Sequence, residues 1–211
     1  MKNKVLVIGM SANSGGIETF IINVFRRISN ENVKFDFLTF YTNCAFEDEL
    51  ISAGSKVYHI TRRGVNPIKN KTELTAFFKS HQNSYDYIWF HSSSPSNIVP
   101  IVLAKKYTNA KTVVHCHGTA FESRAIFKPL HIFLGKINFN KMKNNTDYCF
   151  ACSKAAGNYL FRDKCGNVKI IKNGINTDNY KFDESTRARV RKELGVGADT
   201  AVIGHVGRLC S

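Results

Sequence analysis

Val5-Leu-Val-Ile-Gly9-Met-Ser-Ala-Asn-Ser-Gly15-Gly16-Ile-Glu-Thr-Phe20-Ile-Ile-Asn-Val-Phe25-Arg-Arg-Ile28 is the stretch whose reading decides the fold. Its first four residues form a continuous β-branched and apolar run, the mark of a strand buried on both faces of a parallel sheet. Gly9 to Gly16 follows as a loop. From Gly16 to Ser29 the apolar residues Ile17, Phe20, Ile21, Val24, Phe25 and Ile28 recur at three- and four-residue spacing, which gives an amphipathic helix one buried face. The alternation then repeats along the chain. Strands are expected at 34–40, 56–60, 87–91, 111–117, 147–152 and 168–171, and helices at 47–53, 71–81, 95–106, 123–143 and 153–161. Strand and helix alternating this often implies βαβ units with right-handed crossovers, so the expected fold is α/β, a doubly wound, Rossmann-like parallel sheet. Ser94 and Ser153 are expected as helix N-caps, with Pro95 at a first helical position.

The pattern changes after Asn173-Gly174. A polar stretch runs to Ser185, a basic helix is expected from Thr186 to Leu194, and Thr200-Ala-Val-Ile-Gly-His-Val-Gly-Arg208 begins again as a buried strand entering a glycine-containing loop. The expected organisation is a Rossmann-like domain over 1–180, a linker with a basic helix over 181–198, and the first strand of a second, truncated domain over 199–211. A strand with no following helix cannot bury its faces.

Composition narrows the partners. Of 211 residues 43% are hydrophobic and 22% charged, an ordinary balance for a folded domain, and a chain of this length buries about 70% of its unfolded surface without staples. Lys and Arg number 30 against 16 Asp and Glu, a net charge of +14 that favours anionic partners: nucleic acid, anionic lipid or phosphorylated small molecules. The 6 cysteines are too sparse for a secreted disulfide scaffold and read as reduced thiols of a cytoplasmic protein. Lys-Asn-Lys precedes an apolar run too short for a signal peptide, and no uncharged apolar stretch approaches ~18 residues. Any membrane contact is therefore peripheral. Nucleic acid is not expected, because neither a recognition helix nor aromatics interleaved with Lys and Arg on a strand are evident.

In doubly wound sheets ligands lie beyond the carboxyl ends of the strands, so residues at those ends carry the chemistry. Gly15 and Gly16 open a helix, where backbone N–H groups and the helix dipole favour an anion; a tight strand-to-helix turn has the same sequence. The spacing is neither Gly-x-Gly-x-x-Gly nor a P-loop, which disfavours a standard dinucleotide fold and an NTPase. His115 and His117 alternate onto one face of a strand that ends at Gly118. His117 is the candidate for a sugar hydroxyl or phosphate, and His115 the better candidate for a core histidine. His91, before Ser92-Ser-Ser, ends the preceding strand and is expected to line the same cleft or cap a loop. Zinc would want more ligands at metal spacing, so no metal is expected. Cys149-Phe-Ala-Cys152 lies in a strand rather than at a helix start and reads as buried thiols. The 123–143 stretch places Phe127, Leu130, Phe133, Leu134 and Ile137 near one face with Lys128, Lys136, Lys141 and Lys143 elsewhere. That wheel suits either an anionic membrane surface or packing on the sheet.

Taken together, Gly15-Gly-Ile-Glu-Thr-Phe with Phe35-Asp-Phe-Leu, Val114-His-Cys-His-Gly, Ala151-Cys-Ser-Lys-Ala-Ala-Gly, Val168-Lys-Ile-Ile-Lys-Asn-Gly-Ile-Asn-Thr and Ile203-Gly-His-Val-Gly-Arg-Leu resemble the bacterial family 4 glycosyltransferases. These have the two-Rossmann GT-B fold and act in capsule, exopolysaccharide and lipopolysaccharide assembly. The resemblance covers nearly the whole chain, in the family's order. It implies retaining transfer of a sugar from a nucleotide-diphosphate donor to a lipid-linked or oligosaccharide acceptor, with no cofactor and no metal, at the cytoplasmic face of the membrane. It further implies that this chain is the N-terminal, acceptor-binding half and inactive alone. Gly15 and Gly16 match the glycine-rich loop near donor phosphates and acceptor, His117 the histidine contacting the transferred sugar, and Arg208 the basic residue that neutralises the leaving diphosphate. The lysine partner of that arginine and a Glu-x7-Glu motif are not in the sequence. The alternative is a non-catalytic module that binds nucleotides or sugar phosphates.

Overall fold

The computed structural model describes residues 3–28, 33–119, 128–161 and 167–205. Seven strands form one sheet: β1 (Asn3–Ile8), β2 (Val33–Thr39), β3 (Val57–His59), β4 (Tyr87–Ser92), β5 (Lys111–Cys116), β6 (Tyr148–Ala151) and β7 (Lys169–Ile170). Their order is β3-β2-β1-β4-β5-β6-β7, and each adjacent pair is parallel. The helices are α1 (Gly16–Ile28), α2 (Glu47–Ser52), α3 (Pro67–Ser80), α4 (Val99–Tyr107), α5 (Lys128–Asn144) and α6 (Lys154–Phe161). The doubly wound, Rossmann-like sheet is thus present.

Strand alternation splits the core into two layers. Val7, Phe35 and Phe37 face α1 and α2, packing on Phe20, Ile21, Ile22, Phe25 and Leu50. Leu6, Ile8, Ile88, Phe90 and Val114 face the other way, onto Leu74 and Phe78 of α3, Ile101 of α4, Met142 of α5 and Leu160 of α6. The connection after β1 leads to β2 on one side, and that after β4 leads to β5 on the other, so the sheet's switch point lies between the carboxyl ends of β1 and β4. Asp36, within the Phe-Asp-Phe-Leu motif, is structural: it accepts from Lys56 N at 2.8 Å and from the Tyr85 hydroxyl at 3.0 Å.

The starts of α3 and α4 differ from expectation. Helix α3 begins at Pro67 rather than 71, because Asn66 caps it by accepting from Lys69 N at 2.9 Å. Helix α4 begins at Val99, so Ser94 is not its N-cap and Pro95 is not its first position. The intervening polar residues build turns of their own: Ser94 N donates to Ser92 Oγ at 3.2 Å, Ser96 N to Ser94 Oγ at 3.2 Å and Val99 N to Asn97 Oδ1 at 3.3 Å. Such local bonds compete with helix. Ser153 does cap α6, accepting from Ala156 N at 3.1 Å.

The chain divides into two compact units, Met1–Gly174 and Ile175–Ser211, a boundary that precedes the expected 180. The second unit holds a 3-10 turn, Thr177–Tyr180, and helix α7, Glu184–Glu193, which starts two residues before the expected Thr186. Asp183 caps α7, accepting from Thr186 N at 2.6 Å. Residues 200–205 form no strand, and Ile203 is 99% exposed. An apolar run without a neighbouring strand has no ladder to join and no face to bury.

Candidate functional site

The loop between β1 and α1 is fixed from its own backbone. Met10 O accepts from Thr39 Oγ1 at 2.9 Å, Ser11 O from Ala45 N at 2.9 Å, and Ser11 N donates to Glu18 Oε1 at 2.8 Å. Glu18, in the first turn of α1, is buried although it carries a carboxylate. The glycines around it serve different ends. A Cβ on Gly15 would come 2.9 Å from Glu18 Oε2, so position 15 is kept small for the carboxylate. A Cβ on Gly16 would meet nothing within 4 Å, which leaves open space over the N-terminus of α1. Gly9 has φ +130°, and a Cβ there would lie 2.6 Å from His91 O and 2.9 Å from His91 Cβ.

Across the switch point stand the histidines. Register pairs His91 of β4 with His115 of β5, and His117 follows β5 directly, its N–H donating to Ser92 O at 3.2 Å. Alternation brings the three rings together on the α1 face: centroids are 5.1 Å apart for His91 and His117, 4.2 Å for His115 and His117, and 5.3 Å for His91 and His115. Phe20 of α1 sits edge-on at 4.9 Å from His115 and tilted at 5.2 Å from His117. Trp89 closes the group, 4.4 Å from His91. His91 Nδ1 and His117 Nε2 lie 2.8 Å apart, sharing one hydrogen.

Burial in this aromatic nest disfavours charge on every ring. It holds His91 well below its ordinary value and pushes His115 down to about 3, in both cases with help from the neighbouring imidazoles. His117 is pushed down to about 4, with the Glu18 charge acting in the opposite direction. All three are neutral at pH 7. Their donor atoms fall within 4.8 Å of one another, the one group of metal-ligand type among the described residues. The ring planes are inclined by 25°, 30° and 33°, and the His91 Nδ1–His117 Nε2 contact already engages two of these nitrogens.

Of the expected site residues, His91 and His117 are in contact, and Gly15 and Gly16 stand at the start of α1, whose Phe20 packs on His117. Arg208 lies outside the described residues. His91 is only 3% exposed, so it stands behind His117 rather than lining the cleft, while His115 is fully buried as expected of a core histidine. Two groups escaped the sequence reading. One is Glu18, which a helical wheel places as an ordinary first-turn acid. The other is Arg63, beyond β3, whose Nη1 donates to Ser96 O at 3.3 Å and to Asn97 Oδ1 at 3.2 Å and so brings positive charge to the loop after β4. The Cys149-x-x-Cys152 reading also changes. Cys149 is disulfide-bonded, whereas Cys44, Cys116 and Cys152 are free. Sequence spacing does not tell which thiols folding brings within bonding distance.

The family profile of Glycosyltransferase Family 4 matches residues 14–179. EpsF of Bacillus subtilis (strain 168), named as a glycosyltransferase, is 26% identical over 216 residues, covering 98% of this chain and 54% of EpsF. Among solved structures, Anabaena HepE in complex with UDP and glucose superposes with a TM-score of 0.64 at 20% identity, over 92% of this chain and 50% of HepE. A glycosyltransferase from Rickettsia africae gives 0.64 at 18%, over 94% and 51%. The UDP-GlcNAc 2-epimerase of Neisseria meningitidis, bound to UDP-GlcNAc, gives 0.55 at 12%, over 91% and 54%. These likenesses establish the fold, that of GT-B glycosyltransferases, and the chain spans about half the length of each relative. The matched segment runs from the glycine-rich loop through His91 and His117 to the end of the sheet, and on that match the chain belongs to Glycosyltransferase Family 4.

Proposed function

We propose that the chain forms the acceptor-binding half of a retaining glycosyltransferase. The enzyme would move a hexose from a nucleotide-diphosphate donor to a lipid-linked or polysaccharide acceptor during bacterial surface-polysaccharide synthesis, at the cytoplasmic face of the membrane. The observation that carries this reading is that the first turns of α1, which Gly16 opens with free space over its backbone, lie against His117 at the carboxyl edge of the sheet, with Phe20 5.2 Å from the His117 ring and the Glu18 charge acting on it. The domain organisation belongs to the proposal as well: residues 1–180 hold the acceptor, 181–198 link, and 199–211 open the donor-binding half. HepE's complex with UDP and glucose supports a nucleotide sugar as donor.

As the glycosidic bond breaks, negative charge builds on the departing diphosphate and the sugar becomes cation-like. Backbone N–H groups at the start of α1, with the positive end of its dipole, favour the phosphates. Arg208 would neutralise the leaving group, and this reading needs neither metal nor cofactor. His117, neutral at working pH and partly exposed, can lie against the sugar without adding a charge that would oppose the developing cation. Arg63 supplies positive charge for an anionic acceptor such as a lipid diphosphate.

The test is calorimetric titration of the 211-residue chain with UDP- and GDP-sugars, followed by an assay for transfer. Weak binding and no turnover are expected. Micromolar binding accompanied by turnover would contradict the division of labour.

A further inference from the structure

His59 ends β3, the edge strand of the sheet, and its ring reaches the loop between β2 and α2. Nδ1 lies 2.8 Å from Tyr41 O, and Nε2 lies 2.8 Å from Oε1 of Glu47 in the first turn of α2. A backbone carbonyl has no hydrogen to give. A proton shared between a carboxylate and an imidazole sits on the imidazole, the stronger base by about two pH units. Both partners are therefore acceptors. A neutral ring, with a single N–H, can serve one of them; an imidazolium serves both. We infer that His59 is a proton-operated latch: charged, it ties Tyr41 O to Glu47 and holds residues 40–46 against the β1–α1 loop, and on losing its proton it releases one of the two.

The latched segment is one wall of the candidate site. Ala45 N donates to Ser11 O at 2.9 Å and Thr39 Oγ1 to Met10 O at 2.9 Å, so the chain beyond β2 backs the loop that leads to Gly15 and Gly16. Fastened, this segment is strained: Phe46 stands at φ +61°, a left-handed conformation costly for a bulky side chain. Arg26 covers the Phe46 ring at 5.7 Å and Arg62 the Tyr41 ring at 5.2 Å, contacts that do not change with pH near neutrality. The Tyr41 carbonyl, and after it Glu47, raise the affinity of His59 for its proton above the ordinary value, against the opposing effect of partial burial. The other ionisable groups nearby are engaged elsewhere or exposed. Glu47 Oε2 accepts from Cys44 N at 2.8 Å, Glu49 of α2 pairs with Arg26 at 2.7 Å, and Asp36 of β2 accepts from Lys56 N and the Tyr85 hydroxyl. Asp48 of α2 is exposed, Glu73 of α3 accepts from Thr61 N at 2.7 Å, and Arg63 turns to Ser96 and Asn97. Cys44, pushed up to about 12 by burial, remains a thiol. Below its raised value the His59 ring is charged and the latch closed; as pH rises through that value the latch opens. The consequence for binding rests on the proposed role of the loop that carries Gly15 and Gly16; the latch does not.

Histidine side-chain 15N shifts of the whole chain read the charge on the latch directly, with His59→Gln assigning the signal and removing the titration. His59 is expected mostly as imidazolium at pH ~6.5, with its midpoint above that, and across the midpoint the exchange protection of the Ala45 N–H should fall at least ~5-fold. In His59→Gln the protection of Ala45 should show no such step. A midpoint at or below the ordinary histidine value, a flat Ala45 protection across the His59 titration, or the same step in His59→Gln overturns the inference. Should His59→Gln fail to fold, the coincidence of the wild-type step with the His59 midpoint still decides. Titration with UDP-glucose on either side of the midpoint separates the latch from the binding role: affinity should weaken at least ~3-fold above it in the wild type and stay constant in His59→Gln. If protection steps while affinity stays flat, the latch stands and the role of the loop that carries Gly15 and Gly16 fails.

Discussion

The role proposed for His117 makes two demands: the ring must be buried enough to stay neutral and close enough to the cleft to touch a ligand. Its partial exposure, next to the fully buried His115, satisfies both. In the active transferase His117→Ala should lower turnover at least ~10-fold, about 1.4 kcal/mol of transition-state stabilisation, with thermal unfolding close to wild type. Unchanged activity would make the histidine structural. Gly16 allows a cleaner separation of binding from folding. A methyl group there meets no protein atom, and a first-turn helical glycine replaced by alanine stabilises a fold by roughly 0.5–1 kcal/mol. Gly16→Ala should therefore melt at or above the wild-type temperature while binding nucleotide sugar more weakly; unchanged affinity would mean that no ligand approaches that backbone. Sequence reading reached these two residues because a histidine at a strand's carboxyl edge and a glycine pair at a helix start are local signals. It could not reach Glu18 or the order of the histidines. Which ring stands in front depends on register between β4 and β5, and that is decided across 26 residues of separation.

Helix α5 shows what an element adds to a local pattern. Its inner side buries Phe139 and Met142, while Phe133 is 60% and Ile137 48% exposed, one turn apart, with Lys141 and Lys143 exposed farther along. Packing on the sheet and an apolar outer stripe thus coexist on one helix. No helix among the described residues is long and apolar enough to cross a membrane, and contact through α5 would be peripheral. Lysines near an anionic surface contribute about 1 kcal/mol each, so the chain should co-sediment with anionic but not neutral vesicles, less so at high salt. Replacing both Lys141 and Lys143 by Glu should weaken that binding at least ~10-fold. A folded variant that sediments like wild type would confine α5 to packing. Strands β1, β2, β4 and β5 were legible because runs of buried β-branched and aromatic residues mark them. The start of α4 was not, because the serines before it cap turns as readily as they cap helices, and only tertiary contacts choose between the two.

At the scale of the molecule, the buried His91 and His115 and the half-buried His117, all neutral, make folding sensitive to acid. Each titrates near 6.5 when unfolded, whereas in the folded chain His117 is held at about 4, His115 at about 3 and His91 well below its ordinary value. The unfolded state therefore takes up protons that the native state refuses. The stabilisation is fully present above pH ~7 and is lost as pH falls from about 6.5 toward 4, by up to about 1.4 kcal/mol per pH unit for each ring. Urea midpoints should drop between pH 7 and 5, before the carboxylates protonate near pH 4. A flat midpoint over that interval would contradict the burial of the stack. The net charge of +14 acts at the same scale, drawing anionic ligands toward the molecule without choosing where they bind. The proposed function assigns that choice to the carboxyl edge of the sheet, and the measurement that reads it most directly is amide chemical-shift mapping of the chain titrated with UDP-glucose. The account predicts shifts centred on Gly15, Gly16, Ile17, His117 and Gly118, growing with ligand and reduced in Gly16→Ala. Saturable shifts confined to other surfaces, such as the apolar groove beside Trp89, Val113 and Phe150, with the switch point silent, would contradict it.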